Sequence, residues 1–114
     1  MNIYCDSSTR VACIVIEGQE PELFPYPAPV TNNEGEYKAL LVALTRANEL
    51  NLCSPTILSD SQLVVNQVWS DWKCNSYKLK GLRDFAISLV AKTKAQGCWI
   101  PREENLAGRV IDGK

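Results

Sequence analysis

The chain has no histidine among its 114 residues. That absence removes Ser-His-Asp and Cys-His catalysis, and the histidine-bearing zinc sites of hydrolases, from consideration. Its five cysteines, Cys5, Cys13, Cys53, Cys74 and Cys98, are odd in number and include no C-x-x-C pair. A disulfide framework is therefore not expected, and Cys5, Cys13 and Cys98 sit in apolar runs where a reduced thiol packs as a small hydrophobe. No apolar run approaches the roughly 20 residues that cross a bilayer, and the basic-then-apolar pattern of a secretory leader is missing. The expectation is a cytoplasmic protein with no membrane role. An excess of charge is missing too: 12 Lys and Arg face 13 Asp and Glu, for a net charge of −1. On bulk charge alone a nucleic-acid partner is not favoured.

What is present is an ordinary globular composition, 46% hydrophobic and 22% charged. It supports a single domain over residues 1–114, long enough to bury a core without staples and expected to be a monomer. Residues 2–6 and 11–17 read as strands joined by the polar turn Ser7-Ser8-Thr9-Arg10. A third strand falls within 22–26, placed at an edge by Pro21, Pro25 and Pro27. Thr31-Asn32-Asn33-Glu34 is a capping-box pattern opening a helix, whose apolar stripe is Leu40, Ala43, Leu44, Ala47 and Leu50. Residues 55–59 read as a central strand, and Asp60 is placed to cap the next helix, with Val64, Val65, Val68 and Trp69 inward. Asn75-Ser76 breaks the pattern before a helix marked by Leu79, Leu82, Phe85, Ala86, Leu89 and Val90. A short strand at 97–101 and a brief helix over 103–111 complete the order. Three strands in an antiparallel meander, followed by alternating helices and two parallel strands, predict a five-stranded mixed α/β sheet with helices on both faces.

Three acids stand at special places in that order. Asp6 and Asp60 close the first and fourth strands, and Glu36 lies in the first turn of the long helix, on the face that Leu40 turns inward. A lone acid at the head of a buried stripe is costly without a partner. Taken singly, Asp6 reads as a turn residue, Asp60 as an N-cap and Glu36 as an acid favoured by the helix dipole. Taken together, with parallel first and fourth strands, they converge, and an all-oxygen cluster of carboxylates calls for a hard cation such as Mg²⁺.

These residues resemble the ribonuclease H family, type 1, in its compact bacterial and archaeal form. The matching pieces are Asp6-Ser7-Ser8, Thr31-Asn32-Asn33 with Glu36-Tyr37, Ser59-Asp60-Ser61-Gln62, Trp72-Lys73, and Arg102-Glu103-Glu104-Asn105. They occur in the family's order over nearly the whole chain. The resemblance implies an endonuclease that cuts the RNA strand of an RNA–DNA hybrid with two divalent ions, Mg²⁺ or Mn²⁺ as a substitute. Asp6 would touch both ions, with Glu36 and Asp60 each holding one. It also implies that groups at Ser7, Ser8 and Glu36 read 2′-hydroxyls, while Thr31, Asn32 and Asn33 touch the DNA strand. Trp72 would stack on a sugar, and Lys73, Lys78, Lys80 and Arg83 would follow the backbone. Two departures bear on the site. Ser7 stands where the family usually has glycine. Arg109 stands where the family has its fourth carboxylate, preceded by Gly108 where the family usually has alanine. Arginine cannot ligate a metal, which leaves Asn105 as the first choice for a fourth ligand, Asp112 as the second, or Asp6 with substrate and water alone. Arg109 would then meet a phosphate of the hybrid. The alternative function is a hybrid-binding module of the same fold whose catalysis is impaired at Arg109.

Overall fold

Alternation of side chains sets the sheet. In the strand Val11–Ile16, Ala12, Ile14 and Ile16 are buried in one core while Cys13 and Val15 are buried in another. A strand covered on both faces reads as a continuous apolar run, and this one needs helices on either side of it. A computed structural model describes residues 1–113; Lys114, the last residue of the expected domain, lies outside the described residues.

The strands are β1 (Asn2–Ser7), β2 (Val11–Ile16), β3 (Glu22–Pro25), β4 (Thr56–Ser59) and β5 (Gln96–Trp99). The helices are α1 (Asn32–Glu49), α2 (Gln62–Trp69), α3 (Tyr77–Thr93) and α4 (Leu106–Ile111), with a 3₁₀ turn over Arg102–Glu104. The sheet order is β3-β2-β1-β4-β5. β1, β2 and β3 pair antiparallel, and β4 runs parallel to both β1 and β5. This is the expected meander with two added parallel strands. β3 is one of the two edges, and Pro25 at its end blunts it.

The larger core lies between the sheet and the helices α1 to α3. Ile3 and Cys5 of β1 meet Tyr37, Leu40, Ala43, Leu44 and Ala47 of α1, with Val64 of α2 and Leu79 and Ala86 of α3. Full burial of a leucine such as Leu40 or Leu44 contributes about 1.5–3 kcal/mol. The second core is smaller: Cys13, Val15 and Ala107, with Tyr4, Val110 and Ile111 against them, seat α4 on the opposite face.

Four local expectations change. Leu50 is the C-cap of α1 and 41% exposed, so the inward stripe ends at Ala47. Phe85 points outward at 57% exposure, because the buried line of α3 runs through Leu79, Ala86 and Thr93. The cap of α2 is Ser61, whose Oγ accepts from the Val64 amide at 3.3 Å. Asp60 is thereby released from capping. The last helix is shorter than 103–111, because Asn105 ends the 3₁₀ turn and starts α4.

Candidate active site

Parallel pairing brings two of the acids together. The β1–β4 register matches Ile3 with Ile57 and Tyr4 with Leu58; continued by two residues, it sets Asp6 level with Asp60. Thr31 caps α1 through the expected box: its Oγ1 accepts from the Glu34 amide at 3.2 Å, and Glu34 Oε1 accepts from the Thr31 amide at 3.4 Å. That start lowers the first turn of α1 toward the end of β1. There the Ser7 amide donates to Glu36 Oε1 at 2.9 Å. One oxygen from each of Asp6, Glu36 and Asp60 lies within 4.8 Å of the others. They share an open cleft of about 310 Å³ with Ser7, Asn32 and Asn33. A larger, more apolar groove between β3, α1 and α3 lies away from these acids.

Close approach of α1 to β1 depends on Gly35. A Cβ there would fall 2.5 Å from Ser7 Oγ and 3.0 Å from the Ser8 carbonyl oxygen. Ser7, in the place of the family's usual glycine, fills that space usefully. Its hydroxyl pairs with the Tyr26 hydroxyl at 2.7 Å, and Tyr26 lies 3.2 Å from the Gly35 carbonyl oxygen. Strand β1, the end of β3 and the first turn of α1 are thus tied at one point beside Glu36.

The electrostatics are those of crowded, half-buried acids. Burial pushes the Glu36 carboxyl up to about 8, and the charges of Asp6 and Asp60 add to the rise. Burial likewise raises Asp6; Arg102 pulls it down and Asp60 pushes it up. Asp6 is only 2% exposed, and neither of its carboxylate oxygens has a hydrogen-bond partner. Its close neighbour is a charge: Arg102 Nη1 lies 2.6 Å from Asp6 Oδ2, off the line of a hydrogen bond. The same Nη1 donates to Asp60 Oδ2 at 3.0 Å, and Nη2 donates to Asp112 Oδ1 at 2.9 Å. Burial alone would lower the Arg102 pKa, but its contacts with Asp6, Asp60 and Asp112 outweigh that and raise it.

Arg102 is therefore central to the site, although the sequence shows it only as the first residue of the Arg102-Glu103-Glu104-Asn105 motif. The readable signal was that motif together with Gly108. Asn105 is fully buried, and its oxygen is not turned toward the acids. Oδ1 accepts from the Ala107 amide at 3.1 Å and the Gly108 amide at 3.4 Å as the cap of α4. Nδ2 donates to the Cys5 carbonyl at 3.0 Å and to Asp60 Oδ1 at 3.4 Å. The atom expected to ligate a metal is committed to the helix cap, and the amide acts on Asp60 instead.

The remaining predicted residues divide. Ser8 Oγ accepts from the Arg10 and Val11 amides at 3.1 Å, which spends its side chain on the β1–β2 turn. Trp72 is 49% exposed, and Lys73 is exposed beside it between α2 and α3. Trp69 is anchored by Nε1 donating to the Ala95 carbonyl at 3.2 Å, which bears out its reading as a core residue. Lys78 pairs with Glu34 at 3.3 Å and joins the starts of α1 and α3. Arg109 is exposed, donates to the Glu103 carbonyl at 3.1 Å, and lines a neighbouring cavity of about 430 Å³ with Arg102 and Asp112.

The donor set fits a hard divalent cation. It is all oxygen, its members already lie within one ion's reach of each other, and the buried Asp6 oxygens have no hydrogen bond to lose. Among the described residues, no helix is long and apolar enough to cross a membrane.

Comparison with known proteins places this geometry. Residues 10–110 match the family described as reverse transcriptase-like. The chain is 34% identical over 76 residues to the bifunctional protein Rv2228c of Mycobacterium tuberculosis, and equally to an uncharacterised protein of Mycobacterium bovis. The match takes in 66% of this chain and 21% of each relative, so the chain spans about a fifth of the length of these curated relatives. Among solved structures, RNase H1 of the archaeon Halobacterium salinarum NRC-1 superposes with a TM-score of 0.81 at 25% identity, covering 99% of this chain and 98% of that one. The N-terminal RNase H domain of Rv2228c gives 0.79 at 25% identity, covering 98% and 93%. LC11-RNase H1, solved in complex with an RNA/DNA hybrid, gives 0.77 at 23% identity over 92% and 88%, a likeness of fold.

Proposed function

Because the chain belongs to the reverse transcriptase-like family and has the ribonuclease H1 fold, we propose that it is a divalent-metal-dependent endonuclease that cuts the RNA strand of RNA–DNA hybrids. The observation that carries this reading is the convergence of Asp6, Glu36 and Asp60 at one cleft in a fold of that kind. Asp6, Glu36 and Asp60 would hold Mg²⁺ or Mn²⁺, two ions being the count the resemblance implies. When bound, such an ion neutralises charge on the phosphate and acidifies water.

The chain's own residues supply position. The Ser7 amide holds Glu36, the Asn105 amide group holds Asp60, and both carboxylates are thus set before substrate arrives. Asn32 and Asn33, at the open side of the cleft and at the start of α1, are placed to meet the nucleic-acid backbone. Ser7, Ser8, Thr31, Trp72, Lys73 and Arg109 are proposed as further contacts with the hybrid. For Ser8 and Thr31 this means backbone groups, since their side-chain oxygens serve the turn and the helix cap. The 2′-hydroxyl is the feature that separates the RNA strand from DNA. With no histidine in the chain, the proton for the leaving oxygen comes from water.

The test is cleavage of a labelled RNA–DNA hybrid with and without Mg²⁺ or Mn²⁺, with double-stranded RNA as control. Asp60→Asn should lower cleavage on the order of a thousandfold, the loss of several kcal/mol of charge stabilisation, with an unchanged circular dichroism spectrum. Full activity in that variant sinks the reading. A second reading is favoured by Arg109 standing at the fourth acid's position: a hybrid-binding module without catalysis. It requires hybrid binding with no cleavage at any concentration of either ion.

A further inference from the structure

We propose that the Arg102 guanidinium is a built-in cation of the carboxylate cluster. It holds one of the two cation places, so that this chain takes a single divalent ion tightly and admits a second only when the guanidinium is displaced. The inference rests on the reading that this cluster takes divalent ions at all.

The contacts are those of a cation site. A single guanidinium touches Asp6 at 2.6 Å, Asp60 at 3.0 Å and Asp112 at 2.9 Å. These acids come from the end of β1, the loop after β4 and the end of α4. Arg102 reaches them from a rigid base, since the 3₁₀ turn that carries it is closed by the Asn105 amide donating to the Arg102 carbonyl at 3.1 Å.

Space for the guanidinium is provided by one residue. A Cβ on Gly108 would lie 3.2 Å from Arg102 Nη1, 3.3 Å from Cζ and 3.4 Å from Asp6 Oδ2. A side chain there would crowd the guanidinium where it meets Asp6. The next residue, Arg109, turns its own guanidinium to the Glu103 carbonyl. The two parts of the departure at Gly108-Arg109 thus act together: no carboxylate stands at position 109, and position 108 leaves room for a positive group.

Charge counting agrees in sign. Asp6, Glu36, Asp60 and Asp112 as carboxylates carry four negative charges, and Arg102 returns one. One divalent ion leaves the cluster negative, whereas two ions beside the guanidinium would leave it positive. Asp112, whose side chain is 40% exposed, holds the other nitrogen of Arg102. The guanidinium can therefore leave Asp6 while keeping one anchor.

The experiment titrates MnCl₂ into cation-free protein, read by calorimetry and by the paramagnetic resonance of free Mn²⁺, with the melting temperature followed in parallel. The wild type should bind one Mn²⁺ tightly. Arg102→Gln should bind a second, or bind the first more tightly by roughly tenfold or more, tenfold being about the effect of removing one competing unit charge that water largely screens. It should also melt lower than wild type without cation and recover with Mn²⁺. Gly108→Ala keeps every charge and should move binding in the same direction by a smaller factor; it decides the matter alone if Arg102→Gln does not fold. Two Mn²⁺ bound by the wild type with the affinities of the variants overturns the proposal and leaves the metal site standing. No Mn²⁺ binding in the wild type or either variant that Asp60→Asn abolishes overturns the metal site itself, and this proposal with it.

Discussion

One amide, that of Asn105, holds three parts of the molecule. Its oxygen caps α4, while its nitrogen donates to the Cys5 carbonyl in the sheet and to the Asp60 carboxylate. Asn105→Ala removes the cap and leaves a buried carbonyl on Cys5 without its donor. The cost should be about 2–4 kcal/mol, a cap of about 1 plus the desolvation of an orphaned polar group, measured by denaturant unfolding. Asn105→Asp keeps the cap oxygen but adds a charge against Asp60, so it should recover less than the isosteric shape suggests. At this scale the sequence was informative about residue type and less so about direction. The Arg-Glu-x-Asn spacing marked Asn105 as important, but which way an amide faces depends on α4 starting at Leu106, and a helix boundary is not visible at that precision in a row of letters. Arg102 escaped for the same reason: a single arginine in a polar stretch reads as a solvated charge until the ends of β1 and α4 are seen beside it.

Elements are positioned here by close approach. α1 descends onto β1 because Gly35 has no side chain, and the Ser7 hydroxyl and Tyr26 fasten the contact. Gly35→Ala would gain helix propensity of up to about 1 kcal/mol, yet it sets a methyl 2.5 Å from Ser7 Oγ, 3.2 Å from Ser7 Cβ and 3.0 Å from backbone. Overpacking of this kind costs about 1–3 kcal/mol, so the net effect should be destabilising by ~1 kcal/mol and should pull Glu36 from the Ser7 amide. Thermal melts and Mn²⁺ binding of the variant check both. The order of elements and the sheet were legible from short apolar strand runs, the capping box and the prolines near β3, because those signals are local. Leu50 was misplaced because α1 ends just before it, and Phe85 because the buried line of α3 runs through Leu79, Ala86 and Thr93 instead. Asp60 was placed on a helix cap because the neighbouring Ser61 offers the same chemistry one residue later.

Across the whole molecule, three acids and one arginine make stability depend on pH. Glu36 has its folded pKa raised to about 8, and Asp6 is raised as well. An acid whose pKa is higher folded than unfolded holds extra protons in the native state between the two values. Cation-free protein should therefore lose stability as pH rises from about 4.5, the ordinary glutamate value, toward 8, with the full loss above it. The size is a few kcal/mol at most, since Glu36 keeps some contact with water. Divalent ions, by neutralising the same carboxylates, should flatten that slope; unfolding curves at pH 5, 6, 7 and 8 with and without Mg²⁺ measure it. A slope that rises with pH in cation-free protein would mean that Arg102 outweighs the repulsion among the acids.

The Asn105–Cys5 hydrogen bond joins residues 100 positions apart. A growing chain leaving the ribosome therefore presents Asp6, Glu36 and Asp60 well before the Asn105 amide and the Arg102 guanidinium that contact them have been made. A partly synthesised copy thus carries the acids without the positive group that offsets them.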